Sequence, residues 1–142
     1  MNAYFVTCTG CVKDADGNVI EVHCTYDPAT RGGNADRKVK GTIHWVSAKE
    51  AVKATVRLYE NIIDEKKGVY NEEDGSLNLN PNSLTTLENC YVEPALADAK
   101  AYESFQFVRQ GFFCVDYKDS TEGKPVFNRV VSLKSSYVLP KA

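Results

Sequence analysis

The side chains of this chain best suited to recognise a planar polar group are Gln106 and Arg109. A glutamine amide carries a donor and an acceptor and so matches the hydrogen-bonding edge of an unpaired uracil. An arginine can bond to base carbonyls, bind phosphate or stack on a base. Phe105 and Phe107 share the core-facing side of a predicted strand, so Gln106 points outward. By residue type alone, an ordinary polar surface is still favoured over a binding site.

A second group with possible chemistry is Cys8 and Cys11, followed by His23 and Cys24. Thiolate and imidazole are the ligands that zinc prefers. Two residues three apart on a strand face opposite sides unless a bulge intervenes, and adjacent residues also diverge. We therefore predict core thiols and an outward histidine, and no metal site.

No nucleophile and base are recognisable together. His23 and His44 are the only histidines, and neither has a Cys–His or Ser–His–Asp setting. The carboxylates at positions 72–74 are predicted to form a solvated acidic loop. There is no glycine-rich phosphate loop of the Walker type. We predict no catalytic residue in this chain.

Composition narrows the class of protein. With 142 residues, 43% of them hydrophobic, the chain can form a real core. Its net charge of −2 disfavours a protein that grips duplex DNA, but a local basic patch is enough to read unpaired bases. No apolar run is long enough to span a membrane. Five cysteines, an odd number, and no signal-peptide pattern predict reduced thiols and a cytoplasmic protein.

Nearly every segment that must position these residues has the pattern of a strand. Predicted strands cover residues 4–12, 19–26, 37–47, 53–62, 85–92, 105–109, 112–117 and 127–133. The pairs Asp16-Gly17 and Gln110-Gly111 mark hairpin turns. Residues 64–83 are predicted to be a mobile polar insertion, and residues 94–100 one or two helical turns. Short, evenly spaced strands with almost no helix predict an all-β antiparallel barrel.

Residues 37–47 are predicted to form a half-buried strand with a basic outer face. Alternation places Val39, Gly41, Ile43 and Trp45 on one side and Lys38, Lys40, Thr42 and His44 on the other. This pattern alone indicates only that a sheet displays positive charge.

Several long words of the sequence resemble the C-terminal anticodon-binding region of glutaminyl-tRNA synthetases. They are Cys-Thr-Tyr-Asp-Pro at 24–28, Lys-Val-Lys-Gly-Thr-Ile-His-Trp-Val-Ser-Ala at 38–48, Arg-Leu-Tyr at 57–59, the segment 105–114, and Lys-Pro-Val-Phe-Asn-Arg at 124–129. They occur in a consistent order, and the resemblance runs from about residue 2 to residue 133.

The resemblance implies a fold of antiparallel six-stranded β-barrels. Residues 1–142 would be the C-terminal part of the anticodon-binding domain: a distal barrel and strands returning to a truncated proximal barrel, without the catalytic domain. The parent would attach glutamine to its tRNA using ATP and Mg²⁺. This chain carries neither class I signature, His-Ile-Gly-His or Lys-Met-Ser-Lys-Ser: its only histidines, His23 and His44, are too far apart for the first, and its only methionine, Met1, is followed by asparagine and not serine.

The resemblance also assigns residues. The family's glutamine and arginine that contact the middle anticodon base fall on Gln106 and Arg109. Lys38 and Lys40 match its basic strand and are expected to contact the RNA backbone. The family's readers of the flanking anticodon bases are expected to lie upstream of this chain. The expected partner is a glutamine-accepting tRNA, with no DNA and no membrane.

Two alternatives and one side effect stay open. A related glutamyl-tRNA synthetase would share the middle anticodon base, so Gln106 and Arg109 do not separate the two types; the wording of residues 43–48 favours the glutaminyl type. A β-barrel interaction module without an RNA role is the alternative from another class. A cut barrel would expose an unpaired sheet edge, which could produce a non-physiological dimer.

Overall fold

Seven β-strands and two short 3-10 helices form the chain over residues 3–33 and 37–133, which are the residues that this computed structural model describes. The strands are β1 Phe5–Lys13, β2 Val19–Asp27, β3 Val52–Tyr59, β4 Leu84–Val92, β5 Ser104–Phe107, β6 Gly111–Val115 and β7 Val126–Ser132. The 3-10 helices are Pro28–Gly33 and Pro94–Leu96. The predicted all-β class is confirmed. The described residues contain no helix that is long and apolar enough to cross a membrane.

The chain divides into two units, and the first, Met1–Trp45, is built on the antiparallel pair β1–β2. Its turn depends on Asp14, whose carboxylate accepts hydrogen bonds from the backbone N–H groups of Asp16 and Asn18 and from the Asn18 amide. These bonds, the one from the Asn18 side chain first, lower the pKa of Asp14. Gly17 takes a φ of +84°, which explains why the Asp-Gly pair predicted this turn.

The predicted strand at residues 37–47 is wrong. No strand covers these residues, and no described strand pairs with them. Val39, Ile43 and Trp45, expected on the buried face, are each at least half exposed. Alternation supplies suitable side chains for a strand, but the strand itself needs a neighbour to satisfy its backbone groups. That neighbour is lacking within the described part of the chain.

The second unit, Val46–Ala142, is built on a five-stranded sheet in the order β4-β3-β7-β6-β5. Three of its pairs are antiparallel, but β3 and β7 run parallel, with Val56 opposite Phe127. The prediction of a purely antiparallel sheet is therefore wrong. The sheet does not close into a barrel within the described residues, and β4 and β5 are its two edges.

The core of the second unit lies on one face of this sheet. Phe127 is fully buried at its centre, on a strand paired with both β3 and β6. Along β6, burial alternates as strand geometry requires: Phe113 and Val115 face the core, and Phe112 faces away. The remaining buried apolar members are Ala54, Val56 and Val92.

The polar segment between β3 and β4 lies on the surface as predicted, but it contains paired backbone. Isolated antiparallel bridges join Ile63 to Leu79 and Tyr70 to Leu77. The Asn78 side chain donates to the carbonyl oxygens of residues 67 and 68, and so holds the intervening turn. Asparagine side chains therefore help to organise residues 64–83 through hydrogen bonds to the backbone.

A polar network joins β3 and β7 to the segment that follows β6. The Arg57 guanidinium contacts the carboxylates of Asp119 at 2.6 Å and Asp116 at 3.4 Å. The Asn128 amide donates to Asp116 at 2.7 Å, and the backbone N–H groups of residues 118 and 119 also donate to it. These contacts, the Asn128 bond above all, hold the pKa of Asp116 below its ordinary value. The side chain of Asp116 is only 12% exposed, so solvent screens the network weakly.

Asp116→Asn should therefore lower the free energy of unfolding by about 1–3 kcal/mol at pH 7, because it removes the charge that four donors share. The folded carboxyl has a lower pKa than the unfolded one, so the folded state binds fewer protons and the stabilisation exists above pH ~4. It is lost as the pH falls through the folded-state pKa. Urea unfolding of both proteins between pH 2 and 7 tests this. A difference that stays constant across that range contradicts a role for the charge.

Candidate nucleic-acid interface

The β5–β6 hairpin carries both predicted base-reading residues. Phe105 and Phe107 turn towards the core, where Phe107 stacks on Phe113 with ring centroids 4.5 Å apart. Gln106, between them in sequence, is exposed and pairs across the hairpin with Phe112. The core contacts of its two neighbours therefore fix the outward direction of Gln106.

Arg109 lies in the turn of this hairpin, where the backbone N–H of Gln110 donates to the carbonyl of Phe107 at 2.8 Å. Its φ is +66°, a backbone conformation that residues other than glycine, asparagine and aspartate rarely adopt. Non-glycine residues in this region cost free energy and concentrate at functional sites. The turn thus holds an exposed guanidinium at the tip of the hairpin at a conformational cost.

Gly111 makes this turn possible. It begins β6 with a φ of +150°, and a Cβ on it would lie 2.6 Å from the carbonyl oxygen of Val131 on β7. No side chain fits so close to a backbone oxygen. The glycine of the Gln-Gly pair is therefore required twice, by the backbone conformation of the turn and by the close approach of β7.

The side chains of Gln106 and Arg109 make no hydrogen bond or ion pair with any residue that the structure describes. Both are exposed, and β5 is an edge strand with no described strand on its outer side. The hairpin therefore presents an amide and a guanidinium, three residues apart, to solvent. These groups can bond to the edge of a flat polar ring and to an anion.

Lys38 and Lys40 lie in the first unit, in the unpaired stretch after the first 3-10 helix. Both are exposed, and neither has a partner within residues 3–33 and 37–133. Their neighbour Arg37 differs, since it bonds to the carboxylate of Asp27 at 2.8 Å and lies over the ring of Phe5. Arg37 thus holds this stretch against the β1–β2 pair. The two lysines, which have no such contact among the described residues, can bind phosphate.

The cysteines of β1 and β2 are arranged differently from the prediction. The register shifts at Thr9, where Cys8 pairs with Cys24 and Cys11 pairs with Val22, so a bulge places all three cysteines on one face. All three are also exposed, so the prediction of core thiols is wrong for them. Among the described residues, no group of three histidine, cysteine or carboxylate side chains is arranged to hold a metal ion.

One aromatic pair escaped the sequence reasoning. Tyr102 and Tyr117 stack at the end of the β5–β6 hairpin opposite the turn, with centroids 5.4 Å apart and ring planes 12° from parallel. They are fifteen residues apart in sequence, on different sides of a hairpin. No periodicity links them, so only the hairpin register could have revealed the pair.

The chain is similar in sequence to known proteins of one family. Residues 42–116 match the family model of the anticodon-binding domain of class I tRNA synthetases for glutamate and glutamine. The chain is 50% identical to a glutamine–tRNA ligase of Clostridium kluyveri over 99% of this chain, and 48% identical to that of Pseudomonas putida over 95%. The enzyme of Clostridioides difficile is 50% identical over 95% of the chain. The chain spans about a quarter of the length of these relatives, between 24% and 26%.

Proposed function

Because this chain belongs to the anticodon-binding domain family of class I tRNA synthetases for glutamate and glutamine, we propose that it binds the anticodon loop of a glutamine-accepting tRNA. The observation that carries the proposal is the exposed, unpartnered pair Gln106 and Arg109 on an edge hairpin. Proteins read RNA sequence mainly in single-stranded loops, where unstacked bases expose their hydrogen-bonding edges. The amide of Gln106 would bond to the middle anticodon uracil, and Arg109 to its carbonyl or the adjacent phosphate.

The relatives are named glutamine–tRNA ligases. For the complete enzyme we propose attachment of glutamine to tRNA, driven by ATP and located in the cytoplasm. Within residues 3–33 and 37–133, no group of three histidine, cysteine or carboxylate side chains is arranged to hold a metal ion. We assign ATP and Mg²⁺ to the complete enzyme. This chain would contribute RNA recognition, with no catalytic residue. Lys38 and Lys40 would neutralise phosphates of the RNA backbone, a contact that needs no base sequence.

We also propose that residues 1–142 are the C-terminal part of a domain of two six-stranded barrels, with strands shared between the two. The free edges of β4 and β5 support this, because strand edges with exposed N–H and C=O groups seek a partner. A second copy of the chain could occupy such an edge in the isolated protein. Light scattering over a range of concentrations tests that dimer, and a monomer throughout would exclude it.

The binding proposal is tested by titrating the chain with the anticodon stem-loop of a glutamine tRNA and with stem-loops changed at the middle base. Gln106→Ala and Arg109→Ala should each reduce discrimination against the changed base by about 5- to 150-fold, the equivalent of 1–3 kcal/mol for a bidentate base contact. Gln110→Ala, which alters an exposed amide four residues further on, is the matched control and should leave discrimination unchanged.

Three results would count against the proposal. Absence of any stem-loop binding at low salt would favour the interaction module without an RNA role. Discrimination that survives both substitutions would remove the base-reading assignment. A loss of affinity that is equal for every middle base would mean that Gln106 and Arg109 contact only the RNA backbone.

A further inference from the structure

The stacked tyrosines at the open end of the β5–β6 hairpin are unusually exposed for an aromatic pair. Tyr102 is 69% and Tyr117 is 66% exposed, although the two rings already cover part of each other. Aromatic side chains normally bury most of their surface in a core or an interface. This pair instead leaves flat ring surface open to solvent.

Tyr102 holds its position against a backbone preference. Its N–H donates to the carbonyl of Val115, and the N–H of Val115 donates to the carbonyl of Glu103. Tyr102 and Glu103, which precede β5, therefore both face Val115 of β6 in a bulge-like arrangement, and Tyr102 has a φ of +70°. Glycine normally occupies that position. A bulky side chain there is a true outlier, and such outliers concentrate at functional sites.

Two lysines lie close to the pair in sequence, Lys100 and Lys118. Three neighbouring carboxylates are already engaged: Glu103 accepts the N–H of Lys100, Asp116 accepts Asn128, and Asp119 pairs with Arg57. The ammonium groups of Lys100 and Lys118 make no ion pair or hydrogen bond with any residue in the described part of the chain. In sequence, Lys118 follows Tyr117 directly and Lys100 lies two residues before Tyr102, so both cations can pair with an anion near the tyrosines.

We propose that Tyr102 and Tyr117 form a stacking site for one unpaired nucleobase of the bound RNA, with Lys100 and Lys118 on its phosphates. The base would be a third layer on an existing two-ring stack, and every base has a face that can stack. The inference rests on the proposed function. Tyr102 lies four residues before Gln106, so their Cα atoms are at most about 14 Å apart and one RNA loop can reach both.

The test uses Tyr102→Gly and Tyr117→Ala, titrated with the same set of stem-loop RNAs at low salt. Each should weaken binding by about 5- to 150-fold, the range for loss of one base–aromatic stack, and equally for every middle base. Tyr91→Ala is the matched control, since Tyr91 is 60% exposed on β4, the opposite edge of the sheet. Tyr117→Phe keeps the ring and should keep the affinity.

Tyr102→Gly separates binding from folding. Glycine adopts a positive φ without penalty, so this variant should unfold at the same or a higher urea concentration while it binds RNA less well. Equal losses for Tyr117→Phe and Tyr117→Ala would overturn stacking. Unchanged binding by Tyr102→Gly and Tyr117→Ala, with discrimination still lost in Gln106→Ala, would overturn this site alone. No binding by the unsubstituted chain would overturn both proposals.

Discussion

Replacing Phe127 by alanine is expected to lower the free energy of unfolding by about 3–5 kcal/mol. The side chain is fully buried, and its ring packs edge-on against Phe105 at 6.2 Å and against Phe107 at 5.2 Å between centroids. Its removal leaves a cavity in the core. The strands around the cavity cannot all move inward to fill it. Urea unfolding followed by circular dichroism measures the loss.

The same substitution should weaken RNA binding, because Phe105 and Phe107 fix the outward direction of Gln106. Phe112→Ala is the matched control, as Phe112 lies on the same sheet but is 42% exposed and faces away from the core. It should cost about 1 kcal/mol or less. Similar losses for both phenylalanines would mean that the described core does not carry the stability of this unit.

Gly111→Ala is expected to lower the free energy of unfolding by about 2–5 kcal/mol, since two penalties coincide. The new Cβ would meet the Val131 carbonyl oxygen at 2.6 Å, and a φ of +150° strains any side chain. Because backbone cannot yield as a flexible side chain does, we expect β6 to move away from β7. The turn that presents Arg109 would move with it, so base discrimination should fall as well.

Gly123→Ala provides the control for this second prediction. Gly123 has a φ of +71°, but a Cβ there would meet nothing within 4 Å. It should therefore show the backbone penalty alone, about 1–2 kcal/mol. A loss in Gly111→Ala no larger than that in Gly123→Ala would show that the close approach to β7 contributes nothing.

Features set by neighbouring residues could be predicted from the sequence. Both hairpins were predicted from Asp-Gly and Gln-Gly pairs, because turn residues act through their own φ and through side-chain bonds a few positions away. The outward direction of Gln106 followed from the alternation of Phe105 and Phe107. The positive φ of Arg109 was not predicted, since nothing in the residue type requires it.

Features that depend on distant strands were predicted poorly. Residues 37–47 alternate well but have no described partner, and β3 and β7, joined in parallel, are more than sixty residues apart in sequence. The bulge at Thr9 places three cysteines on one face, whereas strict alternation predicts that Cys8 and Cys11 lie on opposite faces. In each case a hydrogen-bonded neighbour, absent from local sequence, decided the outcome.

By itself, the sequence determined the all-β class, the hairpin turns and the family. Long matching segments identify the family, and turn residues act on their own backbone, so both can be recognised without the tertiary structure. Only the tertiary structure decided what surrounds Gln106 and Arg109: the buried phenylalanine beneath them, the backbone oxygen that excludes a side chain at Gly111, and the tyrosine stack at the far end of their hairpin. Those contacts join residues remote in the chain, and strand register, which sequence specifies only through packing, sets which of them meet.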